Sequence, residues 1–156
     1  MLVSSVSGND RVNMQALRAE HSSIMAMASR LGGIAGNVKT RGDAHDARTL
    51  IGSIDNLLHA HLAEEDDNLY PALMAAGDEA ARRLAADAFE EMGGIVGAWV
   101  HYRDHWTLEA ILDQAARFAA ATGGVMGALS LRLEMENDVL YPAMERLTDA
   151  AERSAA

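Results

Sequence analysis

The chain predicts an all-α protein folded as an antiparallel, up-down-up-down four-helix bundle, and three observations carry that expectation. Alanine and leucine are abundant, methionines number 9 and prolines only 2, a composition that favours helix over sheet. Apolar residues recur at three- and four-residue spacing in four separate stretches, as one face of a helix requires. Short polar or glycine-containing segments join those stretches, so successive helices fold back on each other. At 156 residues the chain suits one compact domain with a real core.

The first helix is expected to start at a cap on Asn9 or Asp10. It carries Met14, Leu17, His21, Ile24, Met25, Ala28 and Leu31 on one stripe. His21 lies inside that stripe with Glu20 on its flank; taken alone, it reads as a hydrogen-bonded core residue. Gly32, Gly33 and Gly36 weaken the end, and Thr40-Arg41-Gly42 reads as a loop. Asp43 can cap the second helix, whose broad face holds Leu50, Ile51, Ile54, Leu57, Leu58, His61, Glu65 and Leu69. His45 and His59 fall off that face and read as surface residues.

Gly77-Asp78 makes the next turn, with Asp78 capping a third helix through Leu84, Ala88, Glu91, Ile95, Ala98, Trp99 and Tyr102, interrupted at Gly93-Gly94. Trp99, Tyr102 and Trp106 read as core aromatics. A turn near Trp106 to Leu112, with Thr107 as a cap, leaves Gly123-Gly124 inside a long last helix. That helix carries Leu129, Leu133, Glu136 and Leu140 and ends near Arg146-Leu147. The expected division is therefore a flexible segment over residues 1–9, a bundle over 10–147 and a frayed tail over 148–156.

Charge and composition narrow the classes of function. The net charge is −10 with histidines neutral, and a surface of that sign repels phosphate backbones, so nucleic acid is not an expected partner. With no cysteine, disulfides, thiolate metal sites and cysteine nucleophiles are excluded, and the redox compartment stays open. The first residues lack a basic region followed by an apolar core, and no apolar run reaches about 18 residues. The expectation is a cytoplasmic protein that does not enter a membrane.

The chemistry-bearing stretch is His61-Leu62-Ala63-Glu64-Glu65-Asp66-Asp67-Asn68-Leu69-Tyr70-Pro71. His61 and Glu65, four residues apart, stand one helical turn above each other and can converge on one metal ion. Both face the core, where an ionised carboxylate without a partner is costly, so Glu65 needs a cation, a donor or a metal. The stretch also has an echo. Leu69-Tyr70-Pro71-Ala72 recurs as Leu140-Tyr141-Pro142-Ala143, and the same offset lays Glu136 on Glu65 and Arg132 on His61. An offset one residue shorter lays Glu90-Glu91 on Glu20-His21. Two helical hairpins presenting the same kind of face would pack into one bundle.

Glu20-His21, His61-x-x-x-Glu65-Asp66-x-x-Leu69-Tyr70-Pro71 and Glu136-Asn137-x-x-Leu140-Tyr141-Pro142 together resemble the hemerythrin-like, HHE cation-binding family, over roughly residues 10 to 147. The resemblance implies a hemerythrin-like bundle that holds non-haem iron, two ions in most members, between four helices. It also implies reversible oxygen binding, sensing of oxygen, iron or redox state, or peroxide or nitric oxide chemistry, with a small diatomic or peroxide ligand. The family pattern puts a histidine on each helix and carboxylates on the second and fourth. His21, His61, Glu65 and Glu136 match it. Arg132 stands where the fourth-helix histidine is expected, and Glu91 where spacing places the third.

A hairpin reflection about residue 77 brings the heights of His61 and Glu65 to either side of Glu91. It leaves His101 and His105, themselves at ligand spacing, about 15 Å away along the axis. The implied ligand set is His21, His61, Glu65, Glu91 and Glu136, with Arg132 placed to orient a carboxylate or a bound oxide or peroxide. Two imidazoles and three carboxylates suit iron or manganese, with zinc as a further option, and favour ferric iron over reversible oxygen carriage. The competing reading is a Glu91–Arg132 ion pair in a metal-free bundle that regulates by binding a partner protein.

Overall fold

The structure is a computed structural model that describes residues 12–76 and 78–155. Its regular elements are helical throughout, with no strand among the described residues. Helix α1 (Met14–Ala35) is capped by Asn13, whose side chain accepts from Ala16 N at 3.0 Å, and closes at Gly36. The helix thus starts later than expected, and Asn9 and Asp10 lie outside the described residues. Helix α2 (Arg41–Glu64) corrects a second expectation, because its cap is Thr40 and not Asp43. Thr40 Oγ1 accepts from Asp43 N at 3.1 Å while the Asp43 carboxylate accepts from Thr40 N at 2.9 Å. This reciprocal box satisfies two amides that the helix start would otherwise leave bare. Thr40→Ala is expected to cost about 1 kcal/mol and to lower the melting temperature by roughly 2–4 °C. An unchanged melting curve, followed by circular dichroism, would mean that Asp43 alone holds the helix start.

From Glu64 the rod continues through a π-helical turn, Glu65–Leu69, into α3 (Tyr70–Ala75). Helix α4 (Glu79–His105) is capped by Asp78, which accepts from Ala80 N and Ala81 N; Gly77 of the expected turn lies outside the described residues. It runs unbroken through Gly93 and Gly94, where the sequence suggested an interruption. A Cβ at either glycine would meet nothing within 4 Å. Each glycine therefore costs only its intrinsic propensity, about 1 kcal/mol, which the packed face of a 27-residue helix absorbs.

Thr107 caps the short α5 (Leu108–Asp113), which completes the expected turn. Helix α6 (Ala115–Met135) passes through Gly123-Gly124 as expected, then a second π-helical turn, Glu136–Leu140, leads into α7 (Tyr141–Ala155). The helix does not stop near Leu147. Its alanine-rich end holds no breaker, and exposed but helical backbone continues to Ala155.

The four rods close into a ring: α1 packs on α2 and α6, α3 packs on α4, and α4 packs on α6. Trp99, Tyr102 and Phe118 join Ile24, Ile54 and Leu58 in one apolar cluster. Leu17, Leu69, Leu73, Leu140 and Tyr141 form another. The buried polar residues of the core are His21, His61, Glu65, Thr122, Arg132 and Glu136.

Both π turns have a visible cause. Proline lacks an amide hydrogen and its ring collides with the carbonyl four residues earlier. Pro71 and Pro142 each come just after such a turn, and the residue before each, Tyr70 or Tyr141, donates its N–H five residues back, to Glu65 O or Glu136 O. Widening the helix relieves the collision and keeps the rod continuous. It also re-aims the side chains after the bulge.

Candidate metal centre

The α1 stripe Leu17, His21, Ile24 and Ala28 is buried, so His21 enters the core as one rung of an apolar ladder. Ile54, Leu58 and His61 do the same on α2, and the π turn adds Glu65. From the other hairpin, Leu129 and Leu133 carry the chain inward to Glu136. These four polar residues are at most 1 % exposed.

They converge. His21 Nε2 lies 2.9 Å from His61 Nε2 and 3.2 Å from Glu136 Oε1. His61 Nε2 touches Glu65 Oε1 and lies 3.8 Å from Glu136 Oε1. One ligand atom from each residue can be chosen so that all four lie within 4.8 Å of one another. Ions bound through imidazole and carboxylate sit about 2.0–2.2 Å from each donor, so a group of this span can close around one centre.

The far side of each imidazole is also fixed. His61 Nδ1 lies 2.6 Å from Glu20 Oε2, and His21 Nδ1 lies 2.8 Å from Asn137 Oδ1. Both partners are acceptors, so each Nδ1 carries a proton, and it is Nε2 of each ring that faces inward, offering a lone pair to a cation once it carries no proton of its own. Such an outward hydrogen bond is what orients and enriches a metal-binding histidine. The interior thus gathers two Nε2 atoms and two carboxylates, all of them acceptors when no proton is bound. Glu65 Oε2 and both Glu136 oxygens are buried without a well-formed hydrogen bond. A set of acceptors facing one another is stable only around a proton or a metal cation, and on that ground the residues fit a cation.

Protonation is governed by the same crowding. Burial alone would lower His61, but Glu136, Glu65 and Glu20 outweigh it and lift its pKa from 6.5 to about 10. Burial and the neighbouring Glu136 charge raise Glu65. Burial also works against ionised Glu136, yet the His21 and His61 rings beside it prevail and hold it low. Without metal, a proton on His61 is the cation of the site.

Tyr141 completes the wall. Its ring stacks on His21 at 5.0 Å, and its hydroxyl lies 2.9 Å from His21 Nε2, 3.4 Å from His61 Nε2 and 3.5 Å from Glu65 Oε1. Burial and the charges of Glu65 and Glu136 push this phenol far above its ordinary pKa, so it stays a neutral donor.

The structure brings together His21, His61, Glu65 and Glu136 of the expected set and leaves Glu91 outside. Glu91 stands on α4 with its side chain 60 % exposed and accepts a hydrogen bond from Arg132 Nη1. His101 and His105 are exposed near the end of α4, their rings stacked at 6.1 Å, apart from the quartet. His45 and His59 are exposed, as expected. Tyr141, Glu20 and Asn137 were not anticipated as parts of the site. Their signal was adjacency: Glu20 precedes His21, Asn137 comes directly after Glu136, and Tyr141 sits in the repeated Tyr-Pro step.

A helical bundle whose core gathers two imidazoles and two carboxylates belongs to the class of bundles that can hold a metal ion. Residues 13–144 match the family model described as hemerythrin HHE cation binding domain, and the chain belongs to that family. No curated protein and no solved structure matches it. No helix among the described residues is long and apolar enough to cross a membrane.

Proposed function

We propose that the protein binds non-haem iron at His21, His61, Glu65 and Glu136 and uses it for oxygen, peroxide or nitric oxide chemistry, or to sense redox state or iron. The observation that carries this reading is the inward-facing acceptor set, two Nε2 atoms held by outward Nδ1 hydrogen bonds and two buried carboxylates lacking full partners. Mixed imidazole and carboxylate donors suit iron, with manganese and zinc as chemically close alternatives. Iron in this place would supply redox reactivity toward small oxygen- or nitrogen-containing ligands. The chain's own residues would do the rest. Glu20 and Asn137 keep the imidazoles in one tautomer, the apolar core on either side limits water, and the neutral Tyr141 hydroxyl offers a proton donor.

The Glu91–Arg132 pair supports a second reading, in which the bundle is metal-free and acts by binding a partner protein. Iron analysis and an absorption spectrum of protein produced with iron separate the two. The iron reading expects stoichiometric iron with a near-ultraviolet charge-transfer band, both lost in His61→Ala. Iron-free wild-type protein, indistinguishable from His61→Ala, would leave the interaction module as the better account. Stoichiometric zinc or manganese instead would keep the site and change the metal.

A further inference from the structure

We propose that the bundle contains two pseudo-equivalent half-sites of which only one takes a metal ion, the Arg132 guanidinium being the permanent cation of the other. The proposal rests on the metal reading above and deepens it. The sequence echo is also a structural one. The turn Glu65–Leu69 repeats as Glu136–Leu140, and Tyr70 and Tyr141 make the same five-residue hydrogen bond ahead of their prolines. In the first half, α2 places His61 one turn before Glu65, and His61 meets His21 of α1. In the second, α6 places Arg132 one turn before Glu136, and Arg132 meets Glu91 of α4. The correspondence thus runs through backbone, tyrosine, carboxylate and cross-helix partner alike.

The charge is inverted where the metal would sit. Arg132 is 7 % exposed, and its Nε and Nη2 are buried with no hydrogen-bond partner. A guanidinium has no lone pair to offer a metal and cannot lose its charge inside a protein. It therefore brings a fixed positive charge to the second half-site and repels a second dication. Glu91, already held by Arg132, is half turned to solvent and absent from the ligand quartet. The Tyr70 hydroxyl, equivalent to the one that Tyr141 points at the quartet, is buried and unpartnered. Paired metal ions lie about 3.5–4 Å apart and need terminal ligands at both ends. This chain supplies histidines at one end only.

The test is stoichiometry, with Co(II) and anaerobic Fe(II) as probes, by calorimetric titration and by metal analysis after gel filtration. Wild-type protein should take one ion per chain, and the double variant Glu91→His/Arg132→His two. Arg132→Gln, which removes the charge without adding a ligand, should keep one ion and a folded circular dichroism spectrum, and guards against a double variant that does not fold. Two ions in wild-type protein would overturn this proposal while leaving the metal reading intact. No ion in wild-type protein would overturn the metal reading and this proposal with it. A folded double variant that still takes one ion would show that the Glu91–Arg132 pair is not what excludes the second, and would overturn the proposal.

Discussion

Metal-free protein carrying His61→Ala is expected to lose about 3–5 kcal/mol of unfolding free energy, the cost of breaking a buried ion pair by removing one partner. The reason is the company His61 keeps. Its Nε2 faces Glu65 and Glu136, both 0 % exposed, and its Nδ1 faces Glu20. Removing the imidazolium takes from Glu136, held low by the His21 and His61 rings, the positive charge that faces it in the buried site. Chemical denaturation in the presence of a chelator measures the loss. Part of it is the empty ring volume, so a double-mutant cycle with Glu65→Gln is needed to isolate the charge contribution. A coupling of roughly 1–3 kcal/mol is expected for groups in direct contact. A total loss below about 1 kcal/mol would contradict the picture of a site held together by one buried positive charge. It would mean that the carboxylates are neutral or hydrated.

The bundle was legible because its evidence is periodic. The stripe from Leu17 to Leu31 and the broad face of α2 are buried as the spacing implies, and Trp99, Tyr102 and Trp106 lie in the core. Placing the third turn near Trp106 and running α6 through Gly123-Gly124 also agrees with the structure. Helix ends were less legible, since Asn13 and Thr40 act through a side-chain hydrogen bond that neighbouring polar residues could equally make.

Glu91 illustrates a deeper limit. Reflection through a turn gives height along a helix but not direction around it. The inward stripe of α4 runs Ala81, Ala85, Ala88, Met92, so Glu91 falls one position, or about 100°, away from it. The height was still informative, because Arg132 does reach Glu91 across the bundle. The π turns were hidden for another reason. A helical wheel assumes a constant 3.6 residues per turn, whereas each of these rods widens by one residue just before its proline. Pro71 and Pro142 were the available signal, read as an echo rather than as a change of register. That change turns Tyr141, the residue just past the second bulge, back toward His21.

Metal affinity of the wild-type protein is expected to rise with pH across the neutral range, by up to tenfold per pH unit, with release of about one proton per ion bound. The proton in question is the one that stands in for the metal on His61. Raised from 6.5 to about 10, it must leave Nε2 before that nitrogen can bind a cation. Stability of the metal-free protein runs the other way. A raised histidine stabilises the fold fully below its unfolded value near 6.5 and loses that contribution as pH climbs through about 10. A shift of that size is worth at most about 5 kcal/mol. Glu136, held low, contributes above the ordinary carboxylate range and loses its contribution as pH falls.

Metal-free stability should therefore peak between those limits and fall on the alkaline side, just where metal binding grows stronger. Adding metal should then flatten the alkaline loss, because the ion takes over the charge that the proton gave up. Competition with a chelator between about pH 6 and 8.5, in two buffers of different ionisation enthalpy, measures affinity and proton release together. An affinity independent of pH, with no buffer dependence of the binding heat, would mean that His61 is already neutral. The mutual arrangement of the four acceptors would then have to be held by packing alone.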